Sequence, residues 1–124
     1  MTYTFAPYSP SVLLKNHLRM GGSIPAGERI DVTSLYLTRG GAPWLPVMGE
    51  FHFSRCDSDQ WETELCKIKA GGVTLVATYL FWIYHEEERG RYDFTGSRDI
   101  GRFVRLCRKV GLEVVLRIGP WAHG

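Results

Sequence analysis

Val73-Thr-Leu-Val-Ala-Thr-Tyr-Leu-Phe-Trp-Ile-Tyr-His-Glu86 decides how this chain is built, because its character changes along its length. From Val73 to Phe81 it is nearly unbroken apolar and β-branched, which suits a strand covered on both faces; it then opens into Trp82, Tyr84, His85 and three glutamates. Such a strand delivers aromatic and polar groups to one end. The pattern recurs in Gly111-Leu-Glu-Val-Val-Leu-Arg-Ile-Gly-Pro-Trp-Ala-His123, which also follows an amphipathic helical stretch and ends in Trp and His. Glycines 72 and 111, like tryptophans 82 and 121, stand 39 residues apart, the spacing of a repeated βα unit.

Working outward, Asp57 reads as an N-cap with Gln60 at the third helical position, and Trp61, Leu65 and Ile68 follow at helical spacing until Gly71 or Gly72 ends the run. A second helix opens near Ser97 with Asp99 in its first turn, buries Ile100, Phe103, Val104 and Cys107, and stops at Gly111. Val47 to Phe53 reads as the strand that starts the main sheet, leading to Glu50, His52 and Arg55. The order is strand, helix, strand, helix, strand, and strands joined by helical crossovers run parallel.

Upstream, residues 1–30 carry scattered Pro and Gly without a sustained period and read as a loop-rich leader. Residues 31–124 form the α/β part. It begins with a short hairpin in which Asp31–Thr38 and Pro43–Met48 flank Arg39-Gly40-Gly41, with Pro43 and Pro46 placing the ribbon at an edge.

The 124 residues, 44% hydrophobic and 23% charged, have ordinary globular composition. No apolar run reaches the roughly 18 residues a membrane helix needs, and Met1 to Met20 lacks a compact apolar export segment behind a basic start, so a cytoplasmic protein is expected. A net charge of +2 with dispersed Lys and Arg argues against a nucleic-acid partner. Cys56, Cys66 and Cys107 lack CxxC spacing and read as reduced thiols, the last two packed on helix faces.

Three βα strands in a row, with polar and aromatic residues after each, are how a (β/α)8 barrel begins, and a whole barrel takes about 250 residues. The fold expected is therefore an N-terminal portion of such a barrel, about three βα units, with an exposed sheet edge that could pair with a second copy. The strand C-termini of a barrel form its active face, which makes Glu50, His52, Tyr79, Trp82, His85, Glu86, Arg117, Trp121 and His123 the candidates. Trp and Tyr at such a rim suit a sugar, whose C–H face packs on a ring while its hydroxyls take directed hydrogen bonds; the alternative is that Trp82 and Trp121 plug the barrel top. His52, His85 and His123 sit on different strand ends with no HxH or HxxxH pair, so no metal is expected.

Gly49-Glu-Phe-His-Phe-Ser-Arg55, Thr78-Tyr-Leu-Phe-Trp82 with His85-Glu86, Tyr92-Asp-Phe-Thr-Gly96 and Arg117-Ile-Gly-Pro-Trp121, taken in this order, resemble the opening of the glycoside hydrolase family 35 barrel, the beta-galactosidase family. The resemblance implies a cofactor-independent retaining glycosidase acting on terminal β-D-galactosides or oligosaccharides. It also implies that Tyr79 contacts the sugar and that Gly124 stands where the family places a small residue of the galactose pocket. Trp82, Trp121 and His123 are further candidate contacts. The resemblance puts both catalytic carboxyls on later strands, so no catalytic residue is assigned within these 124 residues and the isolated chain is expected to be inactive. Departures from the family pattern are Cys56-Asp57 where many relatives carry proline, Glu87 after His85-Glu86, and Trp121-Ala-His123 in place of a tyrosine-led segment. Two other readings are a non-catalytic truncated-barrel module for binding or assembly, and a different barrel glycosidase, such as a family 42-like enzyme.

Overall fold

The computed structural model describes residues 2–6, 12–23, 25 and 27–119. It is a mixed α/β structure whose contacts gather into two compact units, Met1–Leu45 and Pro46–Gly124. Trp121, His123 and Gly124 lie outside the described residues.

In the first unit, strands β1 (Gly21–Ser23), β2 (Arg29–Val32), β3 (Leu37–Arg39) and β4 (Ala42–Trp44) form an antiparallel sheet in sequence order. Gly40 and Gly41, with φ of 56° and 81°, join β3 to β4, and a two-residue turn needing positive φ twice favours glycine at both places. Asp31–Thr38 is two strands here rather than the single hairpin arm that its composition suggests. The break has a local cause. The Thr33 hydroxyl accepts from the backbone N–H of Leu35 (3.2 Å) and Tyr36 (2.9 Å) and donates to the Tyr36 carbonyl (2.7 Å), giving the backbone an alternative to the ladder. The ribbon thus groups with the N-terminal 45 residues, and Met48 belongs to the second sheet.

The second unit runs β5 (Met48–Glu50), α1 (Trp61–Ala70), β6 (Leu75–Phe81), the short α2 (Trp82–His85), α3 (Ile100–Val110) and β7 (Glu113–Gly119). The strands form a parallel sheet in the order β5-β6-β7, with Glu50 opposite Ala77, and Tyr79 opposite Arg117. One face packs against the helices. Phe53, Trp61, Leu65, Val76, Phe103, Cys107 and Leu112 are buried there, with Phe51 stacked on Phe103 at 5.8 Å. Burying an aromatic or aliphatic side chain of this size contributes about 1.5–3 kcal/mol, so this cluster is the main stabilising element of the unit.

The helix starts depart from the sequence reading. Asp57 does not cap α1; its carbonyl accepts from Gln60 N–H (2.9 Å) in a preceding turn, and Gln60 occupies the cap position without a side-chain bond. The start at Trp61 is set by packing, since the buried indole N–H donates to the carbonyls of Phe53 (3.1 Å) and Cys56 (3.0 Å). Ser97 lies in a 3-10 turn before α3, and Asp99 is the cap itself, accepting from Arg102 N–H at 2.7 Å. Gly111 ends α3 in the left-handed region, φ 80°. Cys66 is exposed, contrary to the expectation that it packs inward, because Trp61 and Leu65 take the buried face of α1. Cys107 is buried, and burial pushes its thiol up to about 12, which makes it an inert packing group. Among the described residues, no helix is long and apolar enough to cross a membrane.

Candidate functional site

The alternation of a strand puts Glu50 and His52 on one side of β5 and its extension, and Tyr79 and Phe81 on the same side of β6. Parallel register then sets Arg117 of β7 beside Tyr79. These five side chains meet on the sheet face opposite the helices. His52 Nε2 lies 2.6 Å from Glu50 Oε1, and its ring stands edge-on to Tyr79 (5.5 Å) and Phe81 (5.7 Å). The Arg117 guanidinium carbon lies 3.9 Å from the centre of the Tyr79 ring, well inside cation–π range. Arg117 Nη2 also forms an ion pair with Glu50 Oε1, the same oxygen that meets His52.

This arrangement fixes the state of the carboxyl. The hydrogen bond from His52 is the main cause that holds Glu50 below the usual carboxylate value; burial opposes it, and the bond and charge of Arg117 add to the lowering. A carboxylate kept ionised and shared between two donors is poorly suited to deliver a proton as a general acid. An open depression of about 400 Å³, lined by Glu50, Phe51, His52, Arg55 and Cys56, adjoins this cluster.

Trp82 belongs to another group of residues. Its indole N–H donates to Glu86, and its ring meets Tyr92 edge-on at 5.7 Å. Glu86 also accepts from the Gly90 backbone N–H at 2.6 Å, and that bond is the main cause of its lowered pKa. Glu86 therefore holds the loop after α2 in shape. Glu87 pairs with Arg98 (2.6 Å) and Glu88 with Arg91 (2.5 Å), so the acidic run is tied locally. His85 is buried between Phe53 and Phe94, stacked on the latter at 4.6 Å, with Nδ1 2.9 Å from the Asp93 carbonyl. A hollow of about 340 Å³ borders this loop, but the charges of Arg98, Glu87 and Asp93 along it are already paired with one another. Among the described residues, no three of His, Cys, Asp and Glu converge as metal ligands.

The structure thus brings Glu50, His52, Tyr79 and Arg117 together and holds Trp82, His85 and Glu86 in the loop that follows. Phe81 was not among the sequence candidates. The signal was present, since a residue two beyond Tyr79 on a strand shares its face.

A family model described as “Glycosyl hydrolases family 35” matches residues 36–124, the whole span of the parallel unit. The chain belongs to glycosyl hydrolases family 35. Relatives in this family include “Beta-galactosidase 6” of Oryza sativa subsp. japonica, 45% identical over 104 residues that cover 84% of this chain and 12% of the relative. “Beta-galactosidase 14” of Arabidopsis thaliana is 38% identical over 79% of this chain and 11% of its own length, and “Beta-galactosidase” of Canis lupus familiaris is 35% identical over 74% and 14%. The chain thus spans between 11% and 14% of the length of these family 35 relatives.

Proposed function

We propose that this chain supplies the first three βα units of a (β/α)8 glycoside hydrolase that removes terminal β-D-galactose by a retaining double displacement. The observation that carries this reading is the Tyr79 ring at the C-terminal end of a parallel strand, framed by His52, Phe81 and Arg117, in a chain of family 35. An aromatic ring in that place packs on the C–H face of a sugar while neighbouring polar groups meet its hydroxyls. Trp121, His123 and Gly124 of the third strand end complete this part of the pocket in the proposal.

The chemistry itself is assigned to carboxyls outside these residues. Retention requires an acid/base and a nucleophile with carboxyl groups about 5–5.5 Å apart. Glu50 and Glu86 sit in separate clusters, and the hydrogen bonds each accepts lower its pKa, the wrong direction for a group that protonates a leaving oxygen. The role of this chain is to bind and orient the galactosyl unit. A chromogenic β-galactoside tests the assignment: the 124-residue chain should release no chromophore, and a polypeptide extended to the length of the relatives should hydrolyse the substrate with retained anomeric configuration. Turnover by the short chain at the rate of the extended one, or inversion by the extended one, would overturn the proposal.

A further inference from the structure

The cluster on the open face contains a cation whose surroundings are unusual. Arg117 lies over the Tyr79 ring and is charge-paired with Glu50, yet its Nε is buried and has no hydrogen-bond partner among the described residues. A guanidinium held for its own hydrogen bonding would satisfy its fork of donors. This one gives up part of that capacity and keeps the stack. Glu50 restrains it from one side, and His52, bonded to the same Glu50 oxygen, presses edge-on against the same tyrosine ring. Arg117 thus lies over the face of Tyr79 while the His52 ring meets Tyr79 at a steep angle, and Glu50 connects the two contacts.

We propose that Arg117, anchored by Glu50, is a positioning residue that fixes the Tyr79 ring in the orientation needed to receive a sugar. The inference rests on the reading of Tyr79 as a sugar contact, but its structural half stands apart from that reading. The strand register sets Arg117 opposite Tyr79, so the stack is built into the backbone pairing of β6 with β7. A planar cation suits this role because it covers a ring face over its whole width, where a lysine ammonium would meet it at one point.

The test compares the chain with its Arg117→Met, Arg117→Lys and Glu50→Gln variants. It uses tyrosine ring carbons labelled for NMR, the Tyr79 signal assigned by its loss in Tyr79→Phe, and galactose as the added ligand. Arg117→Met retains an apolar stem without charge or plane. It should shift the Tyr79 ring signal, raise the ring-flip rate at least threefold and weaken galactose binding at least tenfold. Arg117→Lys should recover part of each change, and Glu50→Gln should give a smaller change in the same direction. If Arg117→Met disturbs folding, seen as collapse of the core Trp61 indole signal, Glu50→Gln decides the matter because it leaves the arginine in place. An unaltered Tyr79 ring in the folded variants overturns the proposal. A ring that responds to Arg117→Met, in a chain where galactose leaves Tyr79 unperturbed, supports the positioning role and overturns the sugar-contact reading.

Discussion

The two faces of the β5-β6-β7 sheet are built on the same backbone hydrogen bonds and hold opposite chemistry. Phe51, Val76, Thr78 and Val114 face the helices in a core of stacked rings, where Phe103 lies 5.5 Å from both Phe53 and Trp61. On the other face, residues an odd number of positions along the same strands, Glu50, Tyr79 and Arg117, form a linked set of charge and aromatic contacts. The difference teaches that stability and recognition are separated here by a single residue step. Changes on the first face should be felt as stability, and changes on the second as orientation and charge.

The largest effect should come from Phe103→Ala, which removes the ring shared by Phe51, Phe53 and Trp61 and should cost about 3–5 kcal/mol in urea unfolding of the chain. A loss below about 1 kcal/mol would mean that this face is not the principal core. Thr78→Val sharpens the comparison in the opposite direction. The Thr78 hydroxyl is fully buried on the helix face with no partner among the described residues, so replacing it with a methyl should raise stability by about 1 kcal/mol, read as a higher melting temperature. Destabilisation by this change would indicate that the hydroxyl is bonded.

The smallest effect at neutral pH belongs to Glu50→Gln. The folded Glu50 carboxyl titrates below its unfolded value, so its contribution is present above the ordinary carboxylate range, about pH 4, and is lost as pH falls through the folded value. The variant should therefore be slightly less stable than the unmodified chain at neutral pH, and the two profiles should converge as pH falls through the folded value. A profile superimposable on that of the unmodified chain would show that the His52 and Arg117 contacts do not favour the ionised form.

Much of the second unit was legible in the sequence because its signals are local. The continuous apolar run of β6, the helical spacing of Trp61 and Leu65, and the glycine that stops α3 each act within a few residues. The misplaced starts show where local signals lose. Asp57 has the chemistry of a cap, but two carbonyls waiting for the Trp61 indole fixed the beginning of α1 instead. The Asp31–Thr38 run has strand composition throughout, and one threonine hydroxyl folding back on Tyr36 was enough to break it. Trp82 looked equivalent to Tyr79 because both sit near the end of the same run. The chain turns into α2 between them and directs the indole to Glu86.

The sequence by itself determined the order of strands and helices and their parallel arrangement, which follow from periodicity, and the ordered motifs along it carried the resemblance to family 35 that the family match bears out. Only the tertiary structure decided that Arg117 lies on Tyr79, that Glu50 is shared by His52 and Arg117, and that Trp82 stands in a different cluster. The reason is register. Alternation along a strand tells which residues share its face, but the neighbour across the sheet depends on how far adjacent strands slide before their hydrogen bonds engage, and that is set by packing remote in sequence.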